Sequence, residues 1–242
     1  MAGHSKWSNI QHRKGKQDKI RSKIFSKLSH AITIATKEGN SGDPEHNFKL
    51  RLAIDKANAA NMTKDTINKA IKKAINNKEN TELQSIIYEA YGQFGVAILI
   101  ECITDNKNRT VGAIRGILNK YNGKLGTDGS VSYLFEKKAV FVFDKHQNYD
   151  RILELALDEN ADDIISNAEK QTIILASPDN FYNLHKIFSL VNIPTVEEEI
   201  KFLAKSQLEL NTMQQEKIQK LLITLDDIDD VQNIYCNVLF DK

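Results

Sequence analysis

Two cysteines, Cys102 and Cys236, are all that the chain supplies. That is too few for a disulfide framework, and their separation is not a metal-ligand spacing. Each lies in a β-like apolar stretch, where free cysteine behaves as a small buried hydrophobe. Long hydrophobic runs are also missing. Val96–Ile100 and Ala139–Phe143 are strand-sized and far too short to span a bilayer, so no membrane partner is expected. No charged, apolar and small-residue succession of the secretory type opens the chain, and the expected compartment is cytoplasmic. Catalytic signatures are absent as well: there is no G-x-x-x-x-G-K-[ST], no H-E-x-x-H and no G-x-S-x-G. A non-enzymatic protein without cofactor or metal follows from these absences.

What is present is an uneven distribution of charge. The net charge is only +1, yet residues 1–80 carry +10 and residues 81–242 carry −9. Such a molecule attracts polyanions at one end and leaves the other for solubility or for a protein partner. The opening is the extreme case. Through residue 37 there are nine Lys or Arg and one acid, Asp18. His4, Ser5, Lys6, Trp7, His12, Arg13, Lys14, Lys16, Lys19, Arg21 and Lys23 form a basic, histidine-bearing segment around a single Trp. This is the composition that holds phosphate backbone and stacks on a base. Mitochondrial presequences are also acid-poor and amphipathic, but they favour Arg, and here Lys dominates.

Periodicity divides the chain. Ile20, Ile24, Leu28, Ala31 and Ala35 recur at helical spacing, with Phe25 and Ile32 widening the stripe. After Gly39–Gly42, Asp43-Pro44 reads as the start of a second helix bearing Phe48, Leu52 and Ala59, with Leu50 and Ile54 nearby. Thr63 reads as the cap of a third, with Ile67, Ala70, Ile71, Ala74 and Ile75 inward and Lys64, Lys69, Lys72 and Lys73 on a solvated outer face. From Ser85 the period moves toward two. Strands are expected at 86–91, 96–103 and 130–135, and a helix from about Thr110. Residues 139–204 then spell β-α-β-β-α-β, the ferredoxin-like order. Leu208–Leu210 reads as a short strand. A helix with a Thr212-x-x-Gln215 capping box and a final strand through Ile234, Cys236, Val238 and Phe240 close the chain.

The expected fold is therefore α+β. It has a helical N-terminal bundle at 1–80, a discontinuous α/β domain at 81–135 and 206–242, and an acidic ferredoxin-like domain, 136–205, inserted in it. Burial is the argument: neither 81–135 nor 206–242 covers its own apolar face alone.

Several stretches carry a resemblance over essentially the whole chain. Met1–Trp7, Leu50–Ala57, Ala59–Met62, Thr104–Thr110, Gly129–Tyr133 and Asp229–Tyr235 are similar to the YebC/PmpR family. Gln93-Phe94 stands where the family usually has Pro-Gly, Thr63 where it has proline, and Cys236 where it has histidine. The resemblance implies three domains and a DNA-binding transcriptional regulator. It also implies, as the alternative, a ribosome-associated translation factor that relieves slow synthesis on proline-rich sequences. The partner is DNA in the first case and ribosomal RNA on the ribosome in the second. With no presequence before Met1-Ala2-Gly3, a bacterial member is expected.

A second phosphate site is expected at the 104–110 loop, where Asn106, Arg109 and Thr110 place donors at a helix start. Gly123-x-x-Gly126-x-x-Gly129 reads as a flexible connection, and Asp226, Asp227, Asp229 and Asp230 read as a solvated helix cap. A metal-dependent nuclease using those four acids is the distant alternative.

Overall fold

The computed structural model describes residues 17–76, 83–144, 148–166 and 171–240, the side chains of 17–20 and 166 excepted. These form two compact units: residues 17–131 with 211–236, and residues 132–210 with 237–240.

The larger unit begins with three helices, α1 (Gln17–Glu38), α2 (Phe48–Ala59) and α3 (Lys64–Asn76). Their core is Ile32, Ala35, Leu50, Ala53, Ala57, Met62, Ile67 and Ala70. The second helix starts later than Asp43-Pro44 suggests. Asp43 instead makes a local turn, accepting from the Glu45 amide at 2.9 Å. Asn47 is the real cap: its Oδ1 accepts from Leu50 N at 3.0 Å while its Nδ2 donates to the Ala35 carbonyl at 2.8 Å. One buried carboxamide thus ends α1 and begins α2. The buried face of α2 shifts accordingly to Leu50, Ala53 and Ala57, leaving Ala59 exposed. Thr63 does cap α3, accepting from Thr66 N at 3.3 Å.

The same unit holds the sheet β3-β1-β2-β9, built from β1 (Gln84–Tyr91), β2 (Ala97–Thr104), β3 (Lys124–Leu125) and β9 (Val231–Cys236). Helix α4 (Lys107–Lys120) crosses from β2 to β3 over β1, and α7 (Thr212–Asp226) leads into β9. Ile98, Leu99 and Ile100 of β2 are fully buried. Helix α7 buries Ile218, Leu221, Leu222 and Leu225 and packs on β9 and α4. Its capping box is formed by Asn211 with Gln214, one residue before the expected pair. Between β1 and β2 a five-residue turn puts Phe94 at φ +62°, the left-handed region that glycine adopts freely.

The smaller unit is the expected β-α-β-β-α-β fold: β4 (Phe135–Phe143), α5 (Tyr149–Asp158), β5 (Asp163–Ser166), β6 (Thr172–Ala176), α6 (Phe181–Leu190) and β7 (Glu197–Ala204), in the order β5-β6-β4-β7. Phe141 stacks on Phe181 at 5.0 Å, and Phe143 meets Phe188 edge-on at 4.7 Å. The two sheets share one layout. Read from β9, the first runs β9-β2-β1-β3, as the second runs β7-β4-β6-β5; the chain only enters the first at its third strand.

Two strand expectations need correction. Ser132–Leu134 is a 3-10 turn, and the strand begins at Phe135, running unbroken through the 139–143 segment. The final strand is two. Asn237 interrupts it, so that β9 pairs with β2 while β10 (Val238–Leu239) pairs parallel with β8 (Leu208–Glu209).

Candidate nucleic-acid interface

The expected binding residues His4, Ser5, Lys6, Trp7, His12, Arg13, Lys14 and Lys16 lie outside the described residues, as does the side chain of Lys19. Arg21 and Lys23 are described, and they differ. Lys23 donates to Asp226 Oδ2 at 2.9 Å and to Asp227 Oδ1 at 3.2 Å. Lys27, one turn on, holds Asp226 Oδ1 at 2.7 Å. Burial pushes the Lys27 ammonium below its ordinary pKa, against the upward pull of Asp226. Asp226 is 9% exposed and Asp230 7%. The acids at the end of α7 are therefore not a solvated cap; two of them are interior partners for cations far away in sequence.

Asp230 organises the 104–110 loop. It accepts from Arg109 Nη2 at 2.9 and 3.0 Å and from Thr110 Oγ1 at 2.7 Å, with Thr104 Oγ1 at 3.3 Å. Arg109 also pairs with Asp105 at 2.9 Å, and hydrogen bonding to Asp230 raises its pKa. Asn106 uses its side-chain oxygen to cap α4 through Arg109 N at 3.0 Å, and Thr110 is fully buried. The Thr104–Thr110 and Asp229–Tyr235 stretches are thus brought together as one hydrogen-bonded clamp.

The glycine-rich loop is likewise held. Glu89, buried on β1, accepts from Gly129 N at 2.7 Å and Val131 N at 2.6 Å. Amides that could cradle a phosphate face a carboxylate of the chain itself, and the loop is anchored rather than flexible.

Arg21, Lys64, Lys69, Lys72 and Lys73 form no ion pair among the described residues. Arg21, Lys69 and Lys73 line an open-sided groove of about 600 Å³ between α1 and α3. Phe25 lies in its wall with the Arg21 guanidinium 5.2 Å over the ring. His30 lines it too, and its Nδ1 is buried without a hydrogen-bond partner among the described residues. Desolvation lowers the pKa of this imidazole, with Asp230 pulling upward and Lys73 adding to the lowering. The helical periodicity showed where Lys69 and Lys73 point; it could not show that α1 runs beside them.

Comparison with known proteins decides the family. The model for the N-terminal domain of TACO1/YebC proteins matches residues 5–77, and that for their second and third domains matches residues 83–238. The chain belongs to the YebC/TACO1 family. A probable transcriptional regulatory protein of Nitrosococcus oceani is 42% identical over 100% of this chain and 97% of its own length. Another of that name, from Pseudomonas fluorescens, is 43% identical over 98% and 95%. The crystal structure of a conserved hypothetical protein from Aquifex aeolicus superposes with a TM-score of 0.83 at 35% identity, covering 96% of both chains. As a YebC/TACO1 member the chain is α+β throughout that comparison, and among its described residues no helix is long and apolar enough to cross a membrane.

Proposed function

We propose that this chain is a nucleic-acid-binding regulator of gene expression, acting on DNA at transcription. In this reading it grips phosphates through the basic segment before α1 and through those cations of α1 and α3 that have no acidic partner among the described residues. The observation that carries it is the sorting of cations. Lys23, Lys27 and Arg109 are neutralised by Asp226, Asp227, Asp105 and Asp230, while Arg21, Lys69 and Lys73 stay together on one groove. Cations that serve only solubility have no need to gather without acids; gathered cations raise the local concentration of phosphate. The printed name of the bacterial relatives points the same way. The nuclease alternative loses support, because Asp226 and Asp230 already compensate lysine and arginine charge that a metal would have to displace. The acidic α/β portion stays clear of the polyanion in this reading and is free for a protein partner.

Binding should be chiefly electrostatic. With about six phosphates contacted on duplex DNA, the slope of log affinity against log salt is expected near −5. Removing residues 1–16 should weaken binding at least tenfold and flatten that slope; a slope near zero would overturn the proposal. Crosslinking in growing cells reads the target, with enriched upstream DNA expected. Recovery of ribosomal RNA instead would replace transcription by translation on the ribosome.

A further inference from the structure

We infer that the groove between α1 and α3 is a seat for one unpaired nucleotide of a nucleic-acid strand, with Lys69 and Lys73 on its phosphates and the Arg21–Phe25 pair beside its base. This deepens the preceding reading and rests on it. Three observations carry the inference. Among the described residues the lining holds three cations, Arg21, Lys69 and Lys73, and no acid, which suits an anionic occupant. The size, about 600 Å³, lies within the range of small-molecule pockets and suits a nucleotide rather than a folded partner. The groove is concave, whereas a duplex presents its phosphates on a convex surface with the bases turned inward. A splayed base can enter it and lie on an aromatic ring or a guanidinium plane, and Arg21 over Phe25 offers both.

The wall also carries Ser22, Ser26 and Ser29, short hydroxyls that donate or accept as the base requires. Such a lining tolerates many bases and selects for being unpaired. The chain's own basic tail is a poor occupant, because residues 1–16 hold four Lys or Arg and no acid.

The test uses the full chain and three labelled probes of equal length: single-stranded RNA, single-stranded DNA and duplex DNA, followed by fluorescence anisotropy. The variants are Lys69→Glu/Lys73→Glu, which reverses groove charge at exposed positions, and Ser26→Leu, which fills the groove without changing charge. Single-strand affinity is expected to fall about tenfold with either variant. For the double lysine variant the salt slope on single strands should flatten by about 1.4, roughly 0.7 per phosphate. Duplex affinity should change less than threefold with Ser26→Leu. A preference between the RNA and DNA strands identifies which source supplies the nucleotide. Equal losses on single strands and duplex with both variants, or no loss with either, would overturn the groove while leaving the general reading intact. A wild-type chain that binds none of the probes would overturn both.

Discussion

Asp226 compensates two ammonium groups at once, at 2.9 Å from Lys23 and 2.7 Å from Lys27, with little water around any of them. Removing one member of such a cluster costs more than the cluster itself contributes, because a charge is left behind in a poorly hydrated place. Asp226→Asn is expected to destabilise the larger unit by about 3 kcal/mol in denaturant unfolding. Lys27→Met/Asp226→Leu, which removes the ion and its buried partner together, should recover most of that loss. A single variant as stable as the parent would show the pairs to be incidental. Little of this was legible in the chain. Lys23 and Arg21 are two residues apart in the same basic segment, and nothing local says that one meets a carboxylate and the other a phenyl ring. The acids near residue 228 resemble an ordinary polar turn for the same reason: Asp226 finds its cations some 200 residues away and Asp230 meets Arg109 at a separation of 121.

Elements were legible where their signals are local and blurred where a neighbour decides. The ferredoxin-like succession from Phe135 to Ala204 was readable because each strand and helix carries its own period. Cap positions were harder. Asp43 and Asn47, or Thr212 and Asn211, are equally able as caps, and the choice falls to whichever side chain also satisfies the preceding element, as Asn47 does for Ala35. Phe135 appeared to end one strand, and instead opens the next, because the two antiparallel neighbours of β4 are distant in sequence. The loop after β3 depends on β1 in the same manner. Glu89→Gln retains the side-chain shape but weakens its hold on two amides, and should loosen 126–131 by about 1–2 kcal/mol. Faster amide hydrogen exchange at Gly129 and Val131, with β1 and β2 unchanged, is the expected signature. Uniform exchange across the sheet would mean that Glu89 supports the whole unit.

At the scale of the molecule, the chain leaves its first unit at residue 131 and returns to it at 211. The returning piece completes the sheet: β9 lies against β2, Ile98 opposite Cys236 and Ile100 opposite Ile234. Ending the chain after residue 210 removes α7 and β9 together. Residues 84–131 should then lose cooperative unfolding and expose apolar surface, since Ile98, Leu99 and Ile100 would lose cover on the side of β9. Limited proteolysis and dye binding check this; a protected, cooperatively melting 84–131 fragment would refute the assignment of 211–236 to that sheet. Cys102 and Cys236 sit in adjacent strands of this interior, and burial pushes the Cys102 thiol up to about 12, so both serve as packing.

The ion pairs of α1 also set an order of events during synthesis. Lys23 and Asp226 are separated by 203 positions. At about 5–20 residues per second, the helix is complete on the nascent chain roughly 10–40 seconds before its acidic partners are translated. For that interval its two lysines are as available to phosphate as Arg21. The young chain therefore carries a stronger claim on nearby polyanion than the finished protein, and translation of the last 30 residues withdraws it.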